Sequence, residues 1–353
     1  MTEKEKTMKA DISSSAELVE AFSTSSISEI YPGPVVLTDL RETLKTQGHL
    51  FVVRGDLAYS NEYNGHALTP KLWVYENMVA SARIQNAMRD HPDSAFFDGV
   101  GPSGLEALHF HARRNKRKSV VVVAQEFHLP PHLASWNDLE IIQAGEPLEW
   151  GYVRKQAEML RSRTDLIFLN QALYAAKAMM SVGNRVVREL ETLGVRPDAS
   201  VWCMASGSCL YGIGGKIAKR FQTTETLLAE YADASAMDAN LNLANPNAVR
   251  TFARGKLLEY FGRTPPTTLV SKDNLRYFPL HPVLPNRYLL QLWKHTGETG
   301  ISRVLRVAPE AALRVHERLR VAGFDWTHTT SLALAPAIQL AEEGKTVVAM
   351  VYG

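Results

Sequence analysis

A chain of 353 residues with 45% hydrophobic and 22% charged residues has room for two α/β domains, or for one domain with an inserted lobe. A formal net charge of +2 gives no case for a nucleic-acid partner, and no apolar run approaches the ~18 residues that a membrane helix needs. Two cysteines, Cys203 and Cys209, argue against a disulfide framework and fit a reducing cytosol; with no second ligand pair beside them, no metal is expected.

Residues 1–15 are polar, lack the apolar core of a signal peptide and read as a flexible tail. A short helix is expected over 16–24, a turn at Gly33-Pro34, a helix over Leu40–Gln47 and a strand over His49–Arg54. Residues 55–71 are loop-like, and Leu72–Arg89 has helical periodicity with Val74, Met78 and Ala82 on one face. A βα rhythm follows. Strands are predicted over Ala95–Val100, Ser119–Ala124, Glu140–Gln143 and Leu166–Leu169. Helices are predicted over Leu105–Arg114, Pro130 to about Trp136, Tyr152–Arg163 and Ala175–Leu193. The basic cluster Arg113–Lys118 joins a helix to a strand and reads as a solvated connection. His109 and His111 stand two apart on a helix and so face different ways.

Ser200–Phe221 holds a strand, Val201–Met204, then a turn of small residues, Ala205-Ser206-Gly207-Ser208-Cys209, then a helix from Gly212 with Ile213, Ile217 and Phe221 on one face. Such a turn suits an anion, because small side chains let it approach the backbone N–H groups at a helix start. It is equally a tight βα turn with packing glycines. Residues 223–300 read as helical in parts, broken at Asn245-Pro246 and Pro265-Pro266. A strand over Ile301–Val307, a helix over Pro309–Ala322, a polar segment feeding a helix and a last strand in KTVVAMVYG complete the chain. Strands alternating with helices imply an α/β fold with mostly parallel sheets and helices on both faces.

Several separated segments, in order over roughly residues 33–353, resemble the fold-type II pyridoxal phosphate enzymes, the tryptophan synthase β-like family that includes cysteine synthase and cystathionine β-synthase. Ala205–Cys209, with Gly212-Ile213-Gly214 behind, is similar to the family's GTGGT phosphate loop. Val100–Gly104 takes the place of its TSGNTG substrate-carboxylate loop, and Asn170-Gln171 that of its NQF segment. His328–Ala333, then Glu342–Val348, resemble its GISSGA and EEGKTVV segments. The family's Schiff-base lysine lies some thirty residues before the carboxylate loop, where Lys71 is the only lysine between Lys45 and Lys116.

The resemblance implies two lobes, each with a twisted, mostly parallel sheet: a smaller mobile lobe over 75–175, and a larger one from 16–74 plus 176–353. It implies pyridoxal 5'-phosphate held by Lys71, Ala205, Ser206, Gly207, Ser208 and Cys209, with Thr330 or Thr329 at the pyridine nitrogen. It implies a small amino-acid substrate met by Gly101, Ser103, Gly104 and Gln171, and a cytoplasmic homodimer. The implied reaction is β-elimination or β-replacement through an aminoacrylate, with Lys71 as general base. The chain departs from the family in the Thr69-Pro70-Lys71-Leu72-Trp73 context and in Pro102, where the family's asparagine falls. These departures suggest a substrate other than O-acetylserine and sulfide. Alternatives are a dehydratase, deaminase or racemase of a hydroxy amino acid, or a catalytically silent regulatory relative.

Overall fold

Residues of the last strand alternate between two core layers. Val348 and Met350 pack into one, while Val347, Ala349 and Val351 pack into another. A strand buried on both faces must be apolar throughout, as the VVAMV run is. The computed structural model describes residues 35–58, 69–123, 131–144, 148–204, 206–232 and 300–353. The tail, the 16–24 helix, the Gly33-Pro34 turn, Ala205 and 233–299 lie outside the described residues.

The elements run in chain order as β1 (Leu37–Asp39), α1 (Arg41–Leu44), β2 (Leu50–Arg54), α2 (Lys71–Ala80), α3 (Ala82–Asp90), β3 (Ala95–Gly99) and α4 (Pro102–Arg114). Next come β4 (Ser119–Val123), β5 (Leu139–Gln143), α5 (Leu148–Ser162), β6 (Leu166–Phe168), α6 (Gln171–Thr192) and β7 (Ala199–Trp202). A π turn over Leu210–Gly214 leads into α7 (Gly215–Arg220), β8 (Glu225–Tyr231), β9 (Arg303–Val307), α8 (Pro309–Val321), α9 (His328–Glu342) and β10 (Val347–Val351).

Two sheets result. One has the order β1-β2-β10-β7-β8-β9 and is parallel except at its β1 edge; the other, β5-β4-β3-β6, is wholly parallel. A central layer joins them: Phe51, Val53, Trp202 and Met350 from the larger sheet share one core with Phe96, Val121 and Ile167 from the smaller. α2 runs through this layer against α4 and α6, and it buries residues around most of its circumference, Leu72, Trp73, Val74, Tyr75, Met78 and Val79 among them. The α8–α9 layer covers the far face of the larger sheet. No helix among the described residues is long and apolar enough to cross a membrane.

Four local expectations are corrected. The helix expected over Leu72–Arg89 is two helices, because Ser81 is extended (ψ 146°) between them. Pro131–Ser135 forms a 3-10 turn rather than an α-helix. Glu225–Tyr231, in a stretch read as partly helical, is a strand buried along nearly its whole length. The helix expected from Gly212 is already wound at Ser208 and passes through the π turn first.

Candidate active site

In open α/β sheets, ligands bind beyond the carboxyl ends of parallel strands. The segments after β3, β6, β7 and β10 leave such ends, and they carry Gly101–Gly104, Asn170-Gln171, Ser206–Cys209 and Tyr352 respectively. Lys71 opens α2, and its backbone N–H donates to Thr69 Oγ1 at 3.3 Å.

Lys71 is half-buried. Burial lowers its amine from 10.5 to about 8, against the opposing pull of Cys209 and then Asp98. Cys209 lies in the turn after β7, so Lys71 faces that turn. A primary amine at about 8 is partly neutral near pH 7 and can act as nucleophile or base.

Asp98, 1% exposed, is the lone acid of the AFFDG strand. Its Oδ2 accepts from Tyr75 Oη at 3.2 Å and from the Gln171 backbone N–H at 2.8 Å, and its Oδ1 accepts from the Gly99 N–H at 2.9 Å. Burial raises it to about 6, with these donors and Lys71 favouring the charged form.

Gln171 is the first residue of α6, and its Oε1 is buried without a hydrogen-bond partner among the described residues. A Cβ on Gly104 would lie 3.5 Å from that oxygen, so the amide sits over the start of α4. Gly101 caps α4 in extended conformation (ψ 177°), Pro102 opens the helix, and Ser103 is half-buried in its first turn. His111, further along α4, bonds through Nε2 to the carbonyl of Leu72, next to Lys71; burial holds its imidazole neutral, down to about 3. His109 faces elsewhere, stacking on Trp136 at 4.6 Å and bonding through Nδ1 to Ser119 Oγ at 2.6 Å.

In the turn after β7, Gly207 has φ +76°, and the hydroxyls of Ser206 and Ser208 lie 3.1 Å apart. The glycines behind it divide the work. A Cβ on Gly212 would meet Met179 Cβ at 2.4 Å, and one on Gly214 would meet Trp202 Nε1 at 2.7 Å. Those two are packing glycines, and the turn itself is Ser206–Cys209. Burial pushes the Cys209 thiol up to about 11, so it is protonated at neutral pH.

Thr330 is fully buried in the first turn of α9. The N-cap is Thr327, so neither Thr329 nor Thr330 takes that role. Thr330 Oγ1 accepts from the Tyr352 N–H at 3.0 Å and lies 3.3 Å from Thr327 Oγ1. The Thr329 carbonyl meets Cys203 Sγ at 3.6 Å, and Tyr352 Oη bonds to both the N–H and the carbonyl of Cys203. The last strand thus ties Thr330 to the segment after β7. Sequence reasoning missed Asp98, Tyr75 and Tyr352; an acid inside an otherwise apolar strand is the one signal that could have found the first.

No protein-family model matches the sequence, and no curated protein matches it. Solved structures do. An O-ureido-L-serine synthase matches at TM-score 0.65, with 13% identity over 91% of this chain and 87% of that one. The O-acetylserine-dependent cystathionine β-synthase of Helicobacter pylori matches at 0.63, with 12% identity over 92% and 93%. A hydrogen sulfide-producing enzyme of Fusobacterium nucleatum matches at 0.59, with 12% identity over 93% and 97%. The chain has the tryptophan synthase β-like fold. In that fold the half-buried amine and the turn with two converging hydroxyls suit an aldehyde and an anionic group, and the orphan Gln171 oxygen is an acceptor left open to a ligand's N–H or O–H.

Proposed function

We propose that this chain is a pyridoxal phosphate enzyme that eliminates or replaces the β-substituent of a small amino acid, with substrates other than O-acetylserine and sulfide. The observation that carries the reading is Lys71, a half-buried amine at the start of α2, lowered to about 8 by burial and within electrostatic reach of Cys209 in the small-residue turn and of Asp98 before the carboxylate turn. The solved enzymes that share the fold support the reaction class.

When bound, the cofactor supplies an electron sink for the substrate's α-carbon. Lys71 Nζ would hold the cofactor's aldehyde carbon, and its free amine would serve as the base for the substrate's α-proton. Ser206, Gly207, Ser208 and Cys209, with Ala205, hold the phosphate. Thr330 Oγ1 accepts one N–H, from Tyr352, and its hydroxyl would offer a proton to the pyridine nitrogen. Gly101, Ser103, Gly104 and the amide of Gln171 orient the substrate carboxylate.

The lobe spanning 75–175 closes on this substrate, and it contains the whole four-stranded sheet. The Lys71 context and Pro102 support the choice of other substrates. Free thiols at Cys203 and Cys209 support a reducing cytosol, and we take the working form to be a homodimer. The test is a screen of amino acids against the cofactor-loaded protein, with and without added thiols or amines. Release of a β-substituent supports the reading, whereas only racemised substrate, or no turnover at all, refutes it.

A further inference from the structure

Asp98 is an acid buried within the otherwise apolar strand β3. Its strand alternates: Phe97 faces the outer layer, whereas Phe96 faces the central layer, and Asp98 follows Phe96 by two residues. The carboxyl therefore enters the layer that α2 crosses, where Tyr75 reaches it. Tyr75 stands four residues after Lys71, one turn along the same face of α2. The two remaining donors are the Gly99 N–H, which leads into the Gly101–Gly104 turn, and the Gln171 N–H, at the start of α6. One carboxyl group thus touches the Lys71 helix, the strand end before the carboxylate turn and the backbone of Gln171.

Three donors aimed at a carboxyl group stabilise its ionised form, but a buried anion also needs a cation. Lys71 is the cation whose charge acts on Asp98, and Asp98 in turn favours the ammonium form of Lys71. The other titratable groups that act on the pair are Tyr75 of α2 and Cys209 of the turn after β7. Burial keeps the tyrosine protonated and the thiol neutral, so neither supplies charge at neutral pH.

We propose that Asp98 is the positioning residue of this site, the buried counter-charge that sets when Lys71 carries a proton and locks that setting to the turn where the substrate carboxylate binds. The inference rests on the reading of Lys71 as the cofactor lysine. As Lys71 Nζ takes up a proton, the charge of Asp98 offsets the loss of solvation that a half-buried ammonium suffers. Without it the lysine is a weaker base, although its geometry is intact.

The experiment measures the rate at which the full-length, cofactor-free protein captures pyridoxal 5'-phosphate, followed by absorbance from pH 5 to 10. The midpoint of the rise reports Lys71. Asp98→Asn is expected to move that midpoint down by about one pH unit or more, the effect of removing a close opposite charge. Asp98→Glu is expected to restore it, and Tyr75→Phe, which removes a donor that favours the ionised carboxyl group, is expected to lower it by less than Asp98→Asn does. A merely structural role for Asp98 would lower the yield of folded protein and leave the midpoint alone. If wild-type protein captures the aldehyde and Asp98→Asn keeps its midpoint, this inference is overturned while the cofactor assignment stands. If wild-type protein captures none, both fall together. Should Asp98→Asn not fold, an unchanged Tyr75→Phe midpoint overturns the inference and a lowered one supports it.

Discussion

The backbone N–H of Tyr352 donates to Thr330 Oγ1 at 3.0 Å, while its phenol brackets Cys203 through both N–H and carbonyl. Tyr352 therefore holds together the first turn of α9 and the exit of β7. Tyr352→Phe keeps the bond to Thr330 and removes both bonds to Cys203, which leaves polar backbone groups buried. Stability should fall by about 1–3 kcal/mol, measured by urea unfolding. Affinity for pyridoxal phosphate should weaken with it, because the Ser206–Cys209 turn follows directly. Unchanged unfolding would show that the phenol carries no load.

Gly183 of α6 and Gly212 of the π turn pack back to back. A Cβ on Gly183 would come 2.3 Å from the Gly212 carbonyl oxygen, a backbone atom that cannot rotate away. Gly183→Ala should cost about 1–3 kcal/mol as an overpacking change and should loosen cofactor binding by shifting the π turn. Gly215→Ala provides the contrast. That residue is helical at φ −61°, with nothing within 4 Å of its added Cβ, so it should gain roughly 0.5–1 kcal/mol. Thermal melts of the two variants should move in opposite directions.

Lys71 makes stability depend on alkaline pH. Its folded value of about 8 lies below the ordinary 10.5, so between those values the unfolded chain holds a proton that the folded chain has released. The contribution is fully present above about 10.5 and is lost as pH falls through about 8. Relative to Lys71→Met, cofactor-free wild type should therefore gain stability as pH rises across this window. Guanidinium unfolding at pH 8 and pH 10 measures the difference, and parallel slopes for the two proteins would contradict it.

Much of this architecture could be read from residue patterns because parallel strands buried on both faces are continuous apolar runs. SVVVV and VVAMV need no partner to be recognised as such. β8 escaped because ETLLAEY carries Glu225 and a buried Glu230, and an acid in an apolar run breaks the strand pattern. The division of α2 from α3 escaped because Ser81 is neither Gly nor Pro and the helical period passes over it. At the site, the turn after β7 was singled out by its run of small residues, and Lys71 by its place in the family resemblance. Asp98 was not, since its partners are 23 residues upstream at Tyr75 and 73 downstream at Gln171, and only folding brings them into reach. Gly212 shows the limit of a motif: the same residue served a phosphate loop or a packed turn equally well until Met179 was seen against it.

The central claim is that one amine, on Lys71, bears the cofactor. Purified protein loaded with pyridoxal phosphate should be reduced with borohydride, digested, and its peptides mapped by mass. The account requires the added cofactor mass on the peptide containing Lys71, and its disappearance in Lys71→Ala. Cofactor fixed to any other lysine of the wild-type protein, or a Lys71→Ala variant labelled as fully as wild type, would contradict it.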